Sequence, residues 1–272
     1  MRHLIAPALL LLGACASGGP PAGPAAPGVP EGPAVEYRGV PGFDTRDYPG
    51  DGVMARWREH SPYRWVGYYL PAPCYTGTSW VGKRGVLEDL EWGLAVLYVG
   101  EQDWRAMGTP PEMTDSAAAA NPRCASANLT RGNGQAHARD AAAQAEAEGF
   151  PPGTVIYLDV ERVDEVSPEL EAYVGGWIDG LLEDARYLAG LYAHQRNATA
   201  LMDVARAAYQ ERARLGGPRL WVASSEGFDV TAHPSESGFT GATIWQGAFD
   251  RRERWGDVTL RIDVNVAEAG LY

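Results

Sequence analysis

Short apolar runs that alternate with amphipathic stretches limit the fold of this chain more than any other feature of its sequence. Residues 65–70, 94–99 and 154–161 are apolar along most of their length, which is typical of strands buried on both faces. The clearest amphipathic stretch begins with Ser167-Pro168, a helix N-cap followed by proline, and continues with apolar residues at a period of 3.6. Strands and helices in alternation indicate parallel β/α units.

Eight such strands are predicted in the globular part of the chain. We therefore predict an α/β protein with a single (β/α)8 TIM-type barrel over residues 37–272, in which the helices of the last units are shortened or missing. An open doubly wound sheet competes with this fold, but its GxGxxG phosphate turn is absent after the first strand. The predicted strands cover residues 37–43, 65–70, 94–99, 154–161, 188–192, 220–223, 242–245 and 260–264. The predicted helices cover residues 52–60, 84–91 and 135–148, a stretch from Pro168, and a stretch capped by Asn197.

The first residues predict a bacterial lipoprotein signal over residues 1–14. Residues 1–3 give a positive start, and residues 4–12 form an apolar run too short to span a bilayer. The run ends in Leu12-Gly13-Ala14-Cys15, which resembles the lipobox of bacterial lipoproteins. This resemblance implies cleavage before Cys15 and acylation of that cysteine; a plain secretory signal is the alternative. Ala16 stands where aspartate usually signals retention in the inner membrane, which favours the outer membrane, facing the periplasm or the cell surface.

Residues 15–36 are predicted to link the lipidated cysteine to the barrel. Residues 16–35 contain six prolines and five glycines and show no apolar periodicity. Proline-rich segments stay extended at about 3.1 Å per residue, so this linker could reach roughly 60 Å from a membrane. Folding is therefore expected to begin near Tyr37.

Charge and cysteine content exclude several functions. The formal net charge of −12 opposes binding to phosphate backbones, so no nucleic-acid partner is predicted. In an oxidising compartment, Cys74 and Cys124 predict a disulfide, with two separate buried thiols as the alternative. CxxC motifs, HExxH motifs and closely spaced histidine pairs are missing, so we predict no metal and no cofactor. We expect the chain to act as a monomer.

Four acidic residues fall at predicted strand ends. Asp44 ends the first strand, and Asp159 and Glu161 end the fourth. Asp263 lies on the eighth strand, which neighbours the first in a closed barrel and should bring it close to Asp44. A barrel builds its active site at the C-terminal ends of its strands, and the period of two turns Asp159 and Glu161 to the same face. The sequence thus predicts four carboxyl groups around one mouth.

Neighbouring carboxyl groups suit glycoside hydrolysis. Two carboxyls that cannot comfortably ionise together differ in pKa, which leaves one protonated acid and one charged stabiliser, as glycosidases require. In the alternative interpretation, each acid caps a loop or pairs with an arginine. Aromatic and polar residues near the strand ends are candidate sugar contacts. They are Tyr69, Tyr98, Glu101, Tyr192, His194, Trp221, Trp245 and Gln246.

Several segments resemble glycoside hydrolase family 25, the barrel lysozymes that cleave the β-1,4 bond between N-acetylmuramic acid and N-acetylglucosamine. They are Gly42-Phe43-Asp44, Leu158-Asp159-Val160-Glu161 and Ile262-Asp263-Val264-Asn265, with 220–223 and 244–246 similar in order and spacing. A still closer likeness is to the bacterial glycoside-hydrolase-like domain of unknown function 1906. That domain has an Ala-rich helix, a Gly-Pro turn and an Ile-Tyr strand that ends in an acid, found here at residues 135–149, 151–153 and 155–159.

The resemblance implies a role for each acid. Glu161 would be the general acid, and Asp159 would stabilise the developing oxocarbenium ion or orient a substrate acetamido group. Asp44 and Asp263 would position the substrate and tune the catalytic pair. His194 departs from the hydroxyl or aromatic residues that family 25 often has in this region, so the substrate subsites are expected to differ.

Two functions of different classes follow. The first is an exported, lipid-anchored, muramidase-like glycosidase that acts on peptidoglycan or another cell-envelope glycan. The second is an inactive barrel that binds an envelope glycan or a partner without cleaving it. A third role, a scaffold without a sugar site, would be favoured if the loop over residues 107–130 plugged the mouth.

Overall fold

Eight strands close into one barrel in the computed structural model, which describes residues 36–106, 123–212 and 216–270. Each strand is hydrogen-bonded to the next in chain order, and the eighth returns to the first. The predicted α/β barrel is therefore confirmed. The strands are β1 (Val40–Asp44), β2 (Trp65–Leu70), β3 (Gly93–Val99), β4 (Val155–Val160), β5 (Leu188–His194), β6 (Arg219–Ala223), β7 (Ala242–Trp255) and β8 (Val258–Ala267).

Helices follow the first five strands. In the described part of the chain the α-helices are α1 (Asp51–His60), α2 (Arg84–Asp89), α3 (Arg131–Ala147), α4 (Pro168–Asp184) and α5 (Gln195–Glu211). A short 3₁₀ turn, Pro234–Glu236, stands between β6 and β7, and β7 leads directly into β8. The predicted loss of helices in the last units is confirmed.

β8 runs against both of its neighbours, which corrects the prediction of eight parallel strands. β1 to β7 are parallel, whereas β8 is antiparallel to β7 and to β1. Only Gly256 and Asp257 connect β7 to β8, and a connection this short can only reverse the chain, because a parallel neighbour needs a long crossover. Asp263 therefore lies within β8 and not at its end, yet the register places it opposite Asp44.

Aromatic side chains fill the barrel interior because glycines make room for them. Trp65, Tyr157 and Trp221 lie in one buried inner cluster, where the Trp221 ring meets the other two edge to face. A Cβ on Gly42 would lie 2.1 Å from the Trp65 ring, and a Cβ on Gly190 would lie 2.5 Å from the Tyr157 ring. The interior is therefore a packed core, and polar groups collect at the C-terminal mouth.

The predicted N-cap of one long helix is confirmed, and that of another is wrong. Ser167 accepts a hydrogen bond from the Leu170 N–H at the start of α4, as expected of an N-cap. The predicted cap at Asn197 is wrong, because α5 begins two residues earlier with His194 as its N-cap. Asn197 is buried, and both ends of its amide are occupied by the backbone of Val163.

A disulfide joins Cys74 and Cys124, which confirms the predicted bridge. The N–H of Cys74 donates to the carbonyl of Val99, and Trp104 Nε1 donates to the carbonyl of Cys124. The bridge thus fastens the loop after β2 and the segment before α3 to the end of β3.

Several predicted features lie outside the described residues. They are the signal over residues 1–14, Cys15 with most of its linker, and residues 107–122 of the loop that would plug the mouth. Among the described helices, none combines the length and the apolar character needed to cross a bilayer.

Gly42→Ala should destabilise the barrel, because its Cβ would collide with the Trp65 ring. Overpacking of this kind costs about 1–3 kcal/mol of unfolding free energy. Urea unfolding of the full chain measures the loss. Gly52→Ala is the matched control, since it lies in α1 with no atom within 4 Å of the added Cβ. Equal unfolding free energies for the two variants would contradict the packing argument.

Candidate active site

The structure brings the four predicted acids to the C-terminal mouth of the barrel. Asp44 is the last residue of β1. Asp159 is the second-last residue of β4, and Glu161 is the first residue after that strand. Asp263 faces Asp44 across the β1–β8 ladder. Asp44 and Asp159 are buried, Asp263 is half-buried and Glu161 is exposed. The cluster therefore extends from the barrel interior out to solvent.

Gln246 joins Asp44 to Asp263. Its Nε2 donates to Asp44 Oδ2 at 3.1 Å and to Asp263 Oδ2 at 3.0 Å, and its Oε1 accepts from the Tyr192 hydroxyl. Gln246 is buried, so water cannot replace these bonds easily. The amide therefore fixes the separation of the two carboxylates and the direction of the Tyr192 hydroxyl.

Asn265 connects Asp44 to the aromatic core. Its Nδ2 donates to Asp44 Oδ2 at 2.8 Å, and its Oδ1 accepts from Trp221 Nε1 at 2.9 Å. The Tyr69 hydroxyl donates to the other oxygen of Asp44 at 2.7 Å. Asp44 thus receives hydrogen bonds on both carboxylate oxygens from groups that the barrel interior holds in place.

Asp159 and Glu161 differ from the first pair, because their carboxyl groups accept no hydrogen bond from the described residues. Asp159 Oδ1 is buried without a partner. Glu161 contributes its backbone N–H, which donates to Gln102 Oε1. A buried carboxyl oxygen without a donor favours the protonated form or a bound ligand group.

Arginines close to the acids in sequence pair with other residues. Arg162 pairs with Asp164, and Arg261 pairs with Asp250. Within the described ranges, none of the four acids forms a salt bridge. The alternative in which each acid pairs with an arginine therefore does not apply to them, although Asp263 does accept the N–H of Asp250, as a loop cap would.

Burial is the main cause of the raised pKa values of Asp44 and Asp263. It raises the pKa of Asp44 to about 7; the charge of Asp263 adds to the rise, while hydrogen bonds from Tyr69 and Asn265 oppose it. Burial also raises the pKa of Asp263, against the lowering effect of the Asp250 N–H. Asp44 therefore titrates near neutral pH.

The pKa values of Asp159 and Glu161 are also raised. Burial, followed by the charges of Glu161 and Asp44, holds the pKa of Asp159 well above its ordinary value. Loss of water around the carboxyl and the charge of Asp263 raise the pKa of Glu161. The mouth therefore holds four carboxyls with raised pKa values, and a raised pKa keeps a proton available for general acid catalysis.

Tyr69 and Tyr192 are the predicted aromatic contacts that reach the mouth. Both are half-buried, and their hydroxyls belong to the network around Asp44 and Gln246. Trp221 lies beneath Tyr192, edge to face at 5.7 Å, and is fully buried. It offers no ring face to a sugar, so its assignment as a substrate contact is corrected to a support for the site.

Tyr98 and Trp245, predicted as sugar contacts near strand ends, point out of the barrel and not into its mouth. Tyr98 packs against Trp177 in the layer between barrel and helices, and the ring of Trp245 meets Phe228 in the same outer layer. Both are buried. Because side chains alternate along a strand, each is one position out of phase with the inward residues of its strand.

Glu101 lies against the disulfide and not in the acid cluster. It accepts hydrogen bonds from the Ala125 N–H at 2.8 Å and from Asn128 Nδ2 at 3.2 Å. Its carboxyl and the sulfurs of Cys74 and Cys124 lie within 4.8 Å of one another. Sulfurs joined in a disulfide are not thiolate ligands, so this group does not form a metal site. Glu101 instead holds the segment after the bridge.

His194 is placed at the start of α5. Its Nδ1 accepts from the Arg196 N–H at 3.1 Å, and burial together with the charges of Arg162 and Arg196 lowers its pKa. It lines a cavity of about 500 Å³ with these arginines and Glu226. His194 is therefore a helix cap beside the acid cluster, and no hydrogen bond joins it to that cluster in the described residues.

Sequence reasoning missed two amides that the site depends on. Asn265 follows Asp263 by two residues, so the period of two along β8 could have placed it on the same face. Gln102 lies in the irregular segment after β3, where no periodicity exists to show its direction.

Comparisons with known proteins identify what the chain is similar to. The family model described as "Rv2525c-like, glycoside hydrolase-like domain" matches residues 55–267, which confirms the resemblance to a glycoside-hydrolase-like domain. An uncharacterized B. stearothermophilus protein is 18% identical with a TM-score of 0.53, over 86% of this chain and 98% of that one. A search of curated protein sequences gives no significant match.

Two further crystal structures share the architecture. The Mycobacterium tuberculosis Tat-secreted protein Rv2525c, in complex with L-tartrate, is 14% identical with a TM-score of 0.54, over 86% of this chain and 97% of that one. The Clostridium perfringens spore cortex lytic enzyme SleM is 12% identical with a TM-score of 0.52, over 84% of this chain and 67% of that one. At these identities the similarity shows the fold.

The stability of Asp44→Asn relative to the wild type should rise as pH rises from about 4 to 7. Between its ordinary pKa of 3.8 and about 7, the folded state binds the Asp44 proton more tightly than the unfolded chain does, so wild-type stability falls as pH rises. The buried charge costs the wild type at most about 4 kcal/mol above pH 7 and nothing below pH 3.8. Urea unfolding of both proteins from pH 4 to 8 measures the difference. A difference that is constant with pH would contradict the assignment.

Proposed function

Because the chain belongs to the Rv2525c-like, glycoside hydrolase-like family, we propose that it is a glycosidase that hydrolyses peptidoglycan or another cell-envelope glycan. Among the similar structures, SleM is named as a spore cortex lytic enzyme. That name supports a wall glycan as the substrate class of this barrel.

One observation carries the proposal: four carboxyl groups with raised pKa values meet at the C-terminal mouth of the barrel, and none has a cationic partner in the described residues. Carboxyls that serve only structure are usually paired or fully hydrogen-bonded, which lowers their pKa. Among the described residues, nothing gives Asp159 or Glu161 either form of support. Glycoside hydrolysis needs one carboxyl that donates a proton and one that bears charge.

Glu161 is the general acid in this proposal. It is the exposed member of the cluster, its carboxyl is free of hydrogen bonds within the described residues, and its raised pKa keeps the proton available. Asp159 lies deeper on the same face of the strand and supports the reacting sugar, either by stabilising the oxocarbenium ion or by orienting an acetamido group. Asp44 and Asp263 position the substrate and tune the pair, while Tyr69 and Tyr192 line the sugar site.

The proposal includes export and anchoring. The lipobox-like Cys15 would be acylated and hold the barrel in the cell envelope, at the outer membrane facing the periplasm or the surface, through the linker that ends near residue 36. Rv2525c is named as Tat-secreted, which supports export for a barrel of this family. The barrel would act as a monomer on glycan and, with a charge of −12, would not bind nucleic acid.

Incubation of the full chain with purified peptidoglycan should release soluble muropeptides with new reducing ends. Glu161→Gln should lower this rate by roughly 10²–10⁴-fold, because the amide cannot donate the proton that the leaving group needs. Chromatography of the released muropeptides and an assay of reducing ends measure the change. Glu165→Gln is the matched control, since it removes an exposed carboxylate of the same loop and should leave the rate unchanged.

Each other outcome has a definite meaning. Full hydrolysis by Glu161→Gln would refute its role as the acid. If no muropeptide is released but wild type and Glu161→Gln both sediment with the sacculi, the barrel binds glycan without cleaving it. If neither occurs, peptidoglycan is not the substrate, and other envelope glycans are to be assayed in the same way.

The pH profile of hydrolysis should respond to Asp263. A general acid works while protonated, so the rate should fall as pH rises through the pKa of Glu161. The charge of Asp263 raises that pKa, so Asp263→Asn should shift the alkaline limb to lower pH. Rates measured from pH 3 to 9 for both proteins test this. An alkaline limb that stays in place would show that another group donates the proton.

A further inference from the structure

The carboxyl groups of Asp159 and Glu161 are not held in position by hydrogen bonds of their own in the described part of the chain. Asp44 and Asp263 are held by side-chain and backbone donors, but within the described residues nothing donates to the second pair. Their directions therefore depend on the backbone of the β4 end. Whatever holds that backbone determines where the proposed acid points.

Gln102 makes hydrogen bonds to this backbone from the β3 side. Its Nε2 donates to the carbonyl of Asp159 at 2.9 Å and to the carbonyl of Gly100 at 3.1 Å, and its Oε1 accepts the N–H of Glu161 at 2.9 Å. Gln102 is 1% exposed. Both polar atoms of its side-chain amide are thus hydrogen-bonded inside the protein. Two of the three bonds go to the backbone of Asp159 and Glu161.

The pattern of these bonds is that of a parallel β ladder. The β3–β4 ladder ends at the pair Val99 and Asp159, beyond which β3 leaves the sheet. In a parallel ladder, one strand donates to a carbonyl and accepts from the N–H two residues further along. The Gln102 amide does this to Asp159 and Glu161, so it extends the ladder by one step and keeps both residues on the same face.

A second buried amide holds the chain just beyond the acid. Asn197, at the start of α5, accepts the N–H of Val163 at 3.1 Å and donates to its carbonyl at 3.0 Å. Asn197 is 3% exposed. The backbone of Glu161 thus lies between two amide contacts, one from the β3 side and one from the β5 side.

We propose that Gln102 is a positioning residue that sets the directions of the Asp159 and Glu161 carboxyl groups by extending the β3–β4 ladder, with Asn197 bracing the chain beyond them. This inference rests on the proposed function, because it assigns Gln102 to the geometry of the same site. Gln102 touches neither substrate nor the reacting atoms. It acts through the backbone of the two acids.

Gln102→Met removes the amide and nearly keeps the volume of the side chain. Displacement of a catalytic group by about 1 Å can cost on the order of 10²-fold in rate, so we expect kcat to fall by roughly 10–100-fold while KM changes little. Gln144→Met is the matched control, because Gln144 also donates to a loop carbonyl, that of Pro71, but lies away from the acids. An unchanged kcat in Gln102→Met, or equal losses in both variants, would overturn the proposal.

Gln102→Glu provides a readout that a purely structural role would not move. Ionised glutamate can accept the Glu161 N–H but cannot donate to the Asp159 carbonyl, whereas protonated glutamate can do both. The acids nearest to it, Asp103, Asp159 and Glu161, are present in wild type as well. The ratio of variant to wild-type kcat should therefore rise as pH falls. A ratio that is constant with pH would contradict the positioning role of Gln102. This variant also tests the proposal if Gln102→Met does not fold.

Carboxyl ¹³C titration separates this inference from the proposed function. Full-length chain labelled at the aspartate and glutamate carboxyls is titrated, with Asp159 and Glu161 assigned from Asp159→Asn and Glu161→Gln. Gln102→Met should shift the titration of both groups, and Gln144→Met should not. If wild type hydrolyses no glycan but the shifts occur, the positioning role stands and the proposed function fails. If Gln102→Met leaves both titrations unchanged, the positioning role fails whatever the activity.

Discussion

A carboxylate removed from water has to be hydrogen-bonded or protonated, and the mouth of this barrel meets that requirement in two ways. Asp44 and Asp263 share the amide of Gln246, and Asp44 also receives Asn265 and Tyr69. Asp159 and Glu161 receive no such donors in the described part of the chain, and burial raises the pKa of both carboxyls. Hydrogen bonds thereby hold the first pair in place, and the second pair is the one to which the proposed proton transfer is assigned.

The reversed last strand makes this division possible. In the antiparallel register, Asp263 pairs with Asp44 and Asn265 pairs with both Gly42 and Gln246. The amides of β7 and β8 therefore reach the same layer of the barrel as the carboxylate of β1. With β8 parallel, Asp263 and Asn265 would approach the mouth from the opposite end of the strand, and a crossover would be needed between β7 and β8.

The sequence was sufficient where a period identifies a face and insufficient where it does not. Asp159 and Glu161 stand two apart at the end of an apolar strand, so their shared face could be predicted. Tyr98 could not be placed, because its strand is apolar on both faces. The alternation of side chains then does not show which residues face the barrel interior. The direction of β8 depends on a two-residue turn after a strand predicted ten residues too short. Gln102 lies outside any periodic element, and only the fold brings it to β4.

The disulfide and the acid pair belong to one chain of contacts. Cys124 is followed by Ala125, whose N–H binds Glu101, and Glu101 precedes the amide of Gln102 that bonds the N–H of Glu161. The covalent link thus lies a few contacts from the proposed acid. An oxidising compartment would then matter for the geometry of the site as well as for stability. The disulfide and the position of the proposed acid therefore depend on the same segment at the end of β3.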